Sequence, residues 1–451
     1  MANPSPLLIG CAAGFSGDRL DAAAPVVQAL VDSGRPGVLI FETLAERTLA
    51  LAQLARRANP DAGYEPLLDE LLRPVLAQCL QHGVRIVSNF GAANPRGAAL
   101  RIQQLAAELG ARRPRVAVVH GDDLSGAQHR AVLERALGPS MPAQPIVSAN
   151  AYIGAEPIAQ ALRAGADIVV CGRVADPALV LGPALAHYGW CMDDWDRLAR
   201  ATMAGHLLEC GAQVTGGYFG DPGYKDVPEP WNLAFPYADV DLDGTAEIGK
   251  VAGTGGSIDL RTVKEQMFYE VHDPARYITP DVVVDFTTAR LEQVAQDRVR
   301  VSGISGHART PTLKVSIGCT EGHIGEDMFF FAGPGCLEKA RLAETILRER
   351  LRIAGLQAED LRIDFIGVNA VHGAASAALR EEPAEVAVRI AACCASRAQA
   401  EKIGREVDGM AVCGLASTGK RVPHQDRTRE VIGLWSTLVP RERVACRVEF
   451  V

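Results

Sequence analysis

Short apolar runs alternate with longer amphipathic stretches through the N-terminal half of the chain. The runs are rich in Val, Ile and Leu, are bounded by turn residues, and cover residues 6–9, 37–41, 84–87, 115–119, 145–147 and 167–170. Such runs are typical of strands that are buried on both faces. Stretches with helical spacing of apolar residues separate them, as at 45–58, 97–109 and 155–164. The alternation predicts an α/β fold with an open, doubly wound, mostly parallel sheet, because successive βαβ units produce parallel strands.

The pattern changes from about residue 277. Strands are predicted at 282–286, 298–302, 313–317, 328–331, 362–368, 385–391 and 444–450, and helices at 337–351 and 397–408. This order is typical of an antiparallel sheet with helices on one face. We therefore expect an α/β domain over residues 1–275, followed by a smaller α+β domain with an antiparallel sheet over residues 276–451.

Composition narrows the class of protein. The 451 residues, of which 48% are hydrophobic and 22% charged, are enough for two globular domains. The formal net charge of -8 argues against a nucleic-acid partner, no apolar run is long enough to span a bilayer, and residues 1–8 carry no signal-peptide pattern. The 11 cysteines include no CxxC pair, which argues against a zinc ribbon and is consistent with a reducing compartment. We expect a cytoplasmic protein.

Polar residues and glycines follow every predicted strand. Because the carboxyl ends of parallel strands meet at one edge of a sheet, these residues are expected to form a single rim where ligands bind. The alternative is that the Asn and Asp residues are helix N-caps. The rim candidates for substrate binding are Gly14, Ser16, Gly17, Arg19, Asn89, Asn94, Asp122, Asn150, Arg173 and Asp176.

The first rim loop has the spacing Gly10-x3-Gly14-x2-Gly17 between a strand and a helix. Its position suits a phosphate cradle, but the spacing is neither a P-loop nor GxGxxG. Glu42, at the end of the second strand, occupies the place of a ribose-binding acid, which leaves a nicotinamide-dependent oxidoreductase as an alternative. Asp18 inside the loop would repel a pyrophosphate. A tight turn without a ligand is the alternative interpretation of this loop.

Glu42 and Asp18 are the candidate general acid or base residues. Both stand at loop starts on the predicted rim, where partial burial shifts a carboxyl group toward the working pH. A cap, or a salt bridge to Arg19 or Arg47, is the alternative for either one. Arg173 has the planar fork that holds a carboxylate or phosphate, and Asp176 is its partner or an N-cap.

His206 precedes Glu209 and Cys210 on one face of a predicted helix. The set is compatible with a Cys–His pair or a metal site, but no second ligand cluster lies nearby, so we predict no metal. A buried histidine at a helix end is the favoured interpretation, and His206 is kept as a substrate-binding candidate.

Jointly, the motifs resemble the acyclic terpene utilisation (AtuA) family over residues 8–351. The segments that carry the resemblance are AGFSGDR (13–19), LAERTLALAQL (44–54), NFGAANPRGAA (89–99), SANAYIGAEPI (148–158), GADIVVCGRVADPALVLGP (165–183), GHLLECGAQVTGGYF (205–219) and KEQMFYEVHDP (264–274). The resemblance implies breakdown of branched chains through coenzyme A thioesters. Some relatives carry an extra ferredoxin-like domain at their C-terminus that this chain is expected to lack, so the resemblance also implies a separate small ferredoxin-like partner subunit. A homo-oligomer is the base-rate expectation.

The implied reaction is that of a lyase, by hydration or dehydration or by carbon–carbon cleavage of an acyl thioester or a hydroxy acid. Either reaction needs a carboxylate base, for which Glu42 or Asp18 is available, and hydrogen-bond donors for an enolate oxygen. Asn89, Asn94 and Asn150 are the candidate donors, and Arg173 the candidate for a distal carboxylate. A noncatalytic or partner-dependent subunit is the second hypothesis, and an NAD(P)-dependent oxidoreductase the third.

Overall fold

Strands and helices alternate from the first strand onward, as the apolar pattern predicts. The computed structural model describes residues 5–358, 360–376, 381–416, 418–420 and 427–451. The strands are β1 (Leu7–Cys11), β2 (Gly37–Phe41), β3 (Arg85–Ser88), β4 (Val116–His120), β5 (Ile146–Ala151), β6 (Ile168–Cys171), β7 (Pro236–Val240), β8 (Ala246–Lys250), β9 (Tyr277–Ile278), β10 (Val283–Asp285), β11 (Arg290–Ala295), β12 (Arg298–Ser302), β13 (Ser305–His307), β14 (Thr312–Ala332), β15 (Asp360–Ile366), β16 (Glu385–Cys394), β17 (Thr418–Lys420), β18 (Thr428–Pro440) and β19 (Arg447–Phe450). The helices are α1 (Ala23–Asp32), α2 (Glu46–Ala58), α3 (Leu68–Leu72), α4 (Leu76–His82), α5 (Pro95–Glu108), α6 (Arg130–Leu137), α7 (Glu156–Arg163), α8 (Ala178–Tyr188), α9 (Trp195–Leu208), α10 (Leu260–Phe268), α11 (Cys336–Ile353) and α12 (Arg397–Cys413).

The chain divides into two units. Unit 1 comprises Met1–Met141, Ile146–Gly318 and Leu434–Val451, and unit 2 comprises Pro142–Pro145 and Cys319–Gly433. Unit 1 thus continues past residue 275, where the apolar pattern suggested a boundary. The reason is hydrogen bonding, since β12 pairs with β8 and β19 pairs with β4.

A large mixed sheet forms the centre of unit 1, in the order β11-β12-β8-β7-β1-β2-β3-β6-β4-β19. Its middle strands, β1-β2-β3-β6-β4, are parallel, as predicted for the α/β class. Antiparallel strands extend it on both sides, at β7 and at β19. The predicted fifth strand forms, but β5 pairs with β14 and not with the parallel strands. β5 cannot pair with β4 in the large sheet, because β6 occupies one side of β4 and β19 occupies the other.

Helices cover both faces of the parallel strands, so the sheet is doubly wound. Val26 of α1, Cys79 of α4 and Ile102 of α5 share one core cluster with alternate strand residues such as Leu39. Since side chains alternate across a strand, the intervening residues, among them the fully buried Ile40, face the other side. Helices α7 and α8 contact each other and the strands there. This layering places the loops after β1, β2 and β6 at one edge.

Unit 2 has the predicted α+β character. Its elements follow the order β14-α11-β15-β16-α12-β17, and its strands lie in the order β15-β16-β14-β17 with every pair antiparallel. Residues of α11 and α12, such as Leu347 and Ile403, share one core with Phe329 and Val388 of the strands, so both helices pack on the same sheet face. This is the ferredoxin-like βαββαβ topology. The chain therefore contains one ferredoxin-like unit, which was not predicted from the sequence, and a separate ferredoxin-like partner stays a prediction. The strands predicted at 313–317 and 328–331 are parts of one strand, β14.

Among the described residues, no helix has both the length and the apolar character that crossing a bilayer requires. Residues 1–4, part of the segment in which no signal peptide was predicted, lie outside the described residues.

Candidate functional site

A cavity of about 890 Å³ lies in unit 1 at the ends of β1, β2 and β6. The loops that follow these strands form one wall. The end of α9 and the segments 269–280 and 310–314 form the others. The volume is in the usual range for a small-molecule site.

Seven of the predicted site residues line this cavity, namely Gly14, Ser16, Asp18, Glu42, Arg173, Asp176 and His206. The topology explains the selection, because the loops after β1 and β2 are adjacent and the loop after β6 reaches the same edge. Gly17, Arg19, Asn89, Asn94, Asp122 and Asn150 are not among the lining residues. Their hydrogen bonds show what each of them does in the fold.

Glu42 is buried at the floor of the cavity. Its Oε1 atom accepts hydrogen bonds from the Leu44 backbone N–H and from Nδ2 of Asn89, both at 2.8 Å. Burial, followed by the negative charge of Asp176, raises the pKa of Glu42 to about 8. The carboxyl group therefore holds its proton at neutral pH and is a candidate general acid.

Asn89 orients Glu42 and does not face the cavity. While Nδ2 donates to Glu42, its Oδ1 accepts from the Thr43 backbone N–H at 2.8 Å. The amide thus ties the end of β3 to the loop after β2. Asn94 is an N-cap, as the alternative interpretation held, because its side chain accepts from Gly97 N at the start of α5 and donates to Ala62 O.

Asp122 and Asn150 form a buried pair behind the cavity wall. Oδ2 of Asp122 accepts from Nδ2 of Asn150 and from the Arg173 backbone N–H, each at 2.8 Å. Burial raises the pKa of Asp122 to about 6. These bonds hold the loop after β6, so the two residues position Arg173.

The glycine loop after β1 is closed by its own aspartate. Asp18 accepts from the backbone N–H groups of Gly14 at 2.8 Å and Arg19 at 2.7 Å, so this carboxylate occupies amides that a phosphate cradle would present. Gly17 adopts φ +96°, which favours glycine. Arg19 turns away, to Asp21 and to the Leu233 carbonyl. Burial raises the pKa of Asp18.

Gly14 is required by packing. A Cβ atom at this position would lie 2.4 Å from the backbone carbon of Cys210, in the segment after α9. The backbone of the β1 loop therefore touches the backbone of residues 210–211, and this contact brings the two walls of the cavity together. The glycine is explained without an anion.

Arg173 is a fully buried cation. Its guanidinium group donates to Asp176, to the Leu44 carbonyl and to the Val174 carbonyl, and lies 4.5 Å from the centre of the Tyr152 ring. Burial of Asp176, against the opposing charge of Arg173, raises the pKa of that carboxyl group. Because the guanidinium group makes all these contacts inside the protein, few of its N–H groups remain to bind a ligand directly. Arg173 therefore acts mainly by supplying positive potential to the cavity.

His206 and Glu209 form a buried hydrogen-bonded pair in the cavity wall, since Nδ1 of the imidazole lies 2.9 Å from Oε1 of the carboxyl group. Nε2 of His206 and Oε2 of Glu209 have no hydrogen-bond partner among the described residues. Burial lowers the pKa of His206 to about 4 and, with the charge of Asp176, raises that of Glu209 well above its usual value. Both pKa shifts favour the neutral form of the group concerned. The helix-end position was predicted, but the pair was not.

Further polar residues of the cavity were not selected from the sequence. Tyr152 donates its hydroxyl hydrogen bond to Glu46, and the Lys314 amine lies 3.1 Å from the same carboxylate. Burial opposes ionisation of Glu46, but these two bonds lower its pKa to about 2 overall. Tyr277 lies with its ring 5.2 Å from that of His206. Tyr152 directly follows β5 and Lys314 lies in β14, which pairs with β5, and no spacing in the sequence indicates that pairing.

Two residues at the mouth of the cavity adopt backbone conformations that non-glycine residues rarely take. Tyr218 and Glu270 both have φ +60°. Such strained positions cluster at ligand sites. The rings of Tyr218 and Tyr269 meet edge to face at 6.5 Å across this mouth.

No group of three or more His, Cys, Asp or Glu side chains is arranged to hold a metal ion within the part of the chain that the structure describes. Burial raises the pKa of the Cys210 thiol, so this residue is not a ready nucleophile. The cavity instead combines a neutral carboxylic acid, a neutral imidazole and a fixed cation, which is a set suited to proton transfer.

Comparison with known families tests the resemblance seen in the sequence. Residues 7–450 match the family described as acyclic terpene utilisation family protein AtuA. A comparison with curated proteins found no match. Since the matched segment covers nearly the whole chain, both units included, this protein belongs to the acyclic terpene utilisation (AtuA) family.

Proposed function

We propose that this protein is a lyase of acyclic terpenoid breakdown that acts on a hydroxylated, branched acyl substrate, either as a coenzyme A thioester or as the free acid. One observation carries the proposal. Glu42, whose carboxyl group is protonated at neutral pH, and His206, whose buried Nε2 atom has no hydrogen-bond partner among the described residues, line the same cavity. An acid and a base held in one cavity are what such lyase reactions require.

Dehydration of a 3-hydroxyacyl group uses the pair directly. With the Nδ1 proton of His206 donated to Glu209, Nε2 is free to take a proton from C2 of the substrate. The electron pair of the broken C–H bond forms the C2–C3 double bond, and the C3–O bond breaks. Glu42 gives its proton to the departing hydroxyl group, which leaves as water. Transfer of a proton from His206 back to Glu42 restores the enzyme, and hydration is the reverse.

Carbon–carbon cleavage needs the same groups in a different assignment. Nε2 of His206 would take the hydroxyl proton, the C2–C3 bond would break as the C3 carbonyl forms, and the resulting enolate would take the Glu42 proton at C2. The cation of Arg173 favours the enolate charge in a largely buried site. The two reactions differ in products but not in machinery.

The alternative functions receive less support. A dinucleotide enzyme needs free amides in the first loop, but Asp18 occupies those of Gly14 and Arg19. It also needs an ionised acid at the ribose, whereas Glu42 is buried and neutral. A noncatalytic subunit has no use for five buried or partly buried acids beside a buried arginine, and these are the least expected residues of a merely structural cavity.

Mass spectrometry of thioesters tests the proposal. Purified protein is incubated with branched 3-hydroxyacyl, 3-hydroxyglutaryl and glutaconyl thioesters and with the matching free acids. Gain or loss of one water would identify a hydratase, and two fragments would identify carbon–carbon cleavage. Glu42→Gln is expected to lower turnover by roughly 10²- to 10⁴-fold.

The matched control is Asp281→Asn. Asp281 is also a buried carboxyl group with a raised pKa, about 6, but it bonds to the Ala155 backbone and does not line the cavity. Turnover per folded molecule should be preserved in this variant. Full activity of Glu42→Gln would remove Glu42 from the mechanism, and unchanged thioesters and acids throughout would contradict the lyase proposal for the isolated chain.

A further inference from the structure

A second cavity of about 420 Å³, here called the annex, adjoins the cavity described above. The two cavities share Ser16, Leu44 and Thr48 as lining residues. The outer wall of the annex is the face of α2 that carries Leu51, Ala52 and Ala55, and the opposite wall is the segment 62–66. Both cavities belong to unit 1.

Most polar side chains of the annex are already bonded within the protein. Oε1 of Glu65 accepts from the Leu67 backbone N–H at 3.0 Å, and its carboxyl group is also bonded by the Ser16 and Thr43 side chains. Thr48 bonds to the Ala45 backbone. The surface that is left for a ligand is therefore mainly hydrocarbon, and Leu51 is 49% exposed on it.

Small residues create the space. Gly63 has φ +95°, and a Cβ atom there would lie 2.9 Å from the Ala52 carbonyl oxygen, so the segment 62–66 runs directly against α2. The alanines at positions 52 and 55 leave room where a larger side chain would fill the annex. The side chains of α2 therefore limit the length of the ligand that the annex can hold.

We infer that the annex binds the branched aliphatic chain of the substrate, while the polar end of that substrate occupies the larger cavity. The assignment rests on the proposed function, and it adds where the chain lies and which residues limit its length. The two cavities are continuous, and a charged cavity that opens into an apolar one accommodates a molecule with a polar head and a hydrocarbon tail. Each methylene group buried there strengthens binding roughly fourfold.

The test compares two saturated acids that lack a leaving hydroxyl group and so bind without turnover. Calorimetric titration of 3-methylbutanoate and 3,7-dimethyloctanoate into the full-length protein measures the contribution of the longer chain. We expect the long acid to bind at least ~30-fold more tightly than the short one, which is a fraction of the gain that full burial of its extra carbons would produce. Ala52→Phe and, separately, Ala55→Phe should reduce that ratio to below about threefold and leave the short acid unaffected.

Ala58→Phe is the matched control, because it lies on the same helix but does not line the annex. It should keep the full preference for the long acid. Two annex variants are used so that one misfolded variant, identified by thermal unfolding, does not leave the result open. Equal affinity of the wild type for both acids, including absence of binding at millimolar concentration, would overturn the assignment, as would an undiminished preference in folded Ala52→Phe or Ala55→Phe. Because no turnover is measured, these outcomes are distinct from failure of the lyase proposal.

Discussion

Nδ1 of His206 lies 2.9 Å from Oε1 of Glu209, and Nε2 of the same ring is buried without a partner among the described residues. The hydrogen bond decides which nitrogen carries the proton. If Glu209 accepts from Nδ1–H, then Nε2 is a base, and if Glu209 donates its own proton to Nδ1, then Nε2–H is an acid. The two states hold the same number of protons, and they interconvert only when the imidazole proton changes nitrogen and the carboxyl proton changes oxygen.

The first prediction concerns this pair. We expect His206→Gln to lower kcat by roughly 10²- to 10⁴-fold, since it removes the base. Glu209→Gln should have a comparable effect, because a glutamine amide that donates to Nδ1 places the remaining proton on Nε2. As the two residues act as a unit, the double variant should lose little more than either single one. Steady-state kinetics on the substrate found by mass spectrometry measures this.

The exposed His82→Gln, at the end of α4, is the control and should keep wild-type kcat. Substantial activity in a folded His206→Gln protein would show that the base is another residue.

The second prediction links Glu42 to stability. Its pKa is about 8 in the folded protein against an ordinary 4.5, so between these values the folded state binds more protons than the unfolded state. The free energy of unfolding therefore falls as pH rises from 5 to 8, and Glu42→Gln removes this part of the decrease. Relative to wild type, the variant should become more stable at pH 8 than at pH 5, by on the order of a few kcal/mol.

His206 contributes with the opposite sign. Its folded pKa, about 4, lies below the ordinary 6.5, so its contribution to stability is lost as pH falls through this range. This contribution is common to wild type and Glu42→Gln and cancels in their difference. Denaturant unfolding at several pH values measures the difference, with the exposed Glu134→Gln as control. If the free energy of unfolding changes with pH by the same amount in wild type and Glu42→Gln, the assignment of a buried, protonated carboxyl group is refuted.

The third prediction concerns the ion pair of Arg173 and Asp176. Arg173→Met leaves Asp176 without its cation, and breaking a buried pair in this way costs about 3–5 kcal/mol. We expect the lower end of this range, because the Asp176 side chain is 34% exposed to the cavity. Adding Asp176→Leu to Arg173→Met should recover part of the loss. A double variant no more stable than Arg173→Met, by urea unfolding, would contradict the pairing.

The fourth prediction distinguishes packing from anion binding at the first glycine loop. Gly14→Ala should destabilise the protein by about 1–3 kcal/mol, because the new Cβ atom meets the backbone of Cys210. Gly37→Ala is the matched control, since its Cβ atom would make only ordinary contacts from 3.5 Å outward. Inorganic phosphate should not stabilise the wild type in the same thermal assay. If phosphate stabilises the wild type saturably and Gly14→Ala abolishes this effect, the first loop is a phosphate-binding site after all.

Several features follow from local pattern and were predicted. The apolar runs at 37–41 and 167–170 specify buried strands, and residues after the strands at one edge, such as Glu42 and Arg173, face a common cavity. These predictions succeed because side-chain periodicity and the geometry of parallel strands depend on a few neighbouring residues. The predictions of strand pairing were less accurate, because pairing depends on partners that are distant in the sequence. Nothing local to β5 indicates that it pairs with β14, and nothing local to residues 298–302 indicates that they join β8.

The sequence by itself determined the family, the α/β class and the residue types that a proton-transfer site needs. Tertiary structure alone decided what each residue does. Asn89 orients Glu42, Asn94 caps α5, and Asp122 holds the backbone of Arg173, although all three read alike as polar residues after strands. The physical reason is that a protonation state follows from burial and from neighbouring charges. Among the neighbouring charges that oppose ionisation of Glu42, that of Asp176 has the largest effect on the pKa. Asp176 lies far along the chain and comes near Glu42 only when the sheet is assembled.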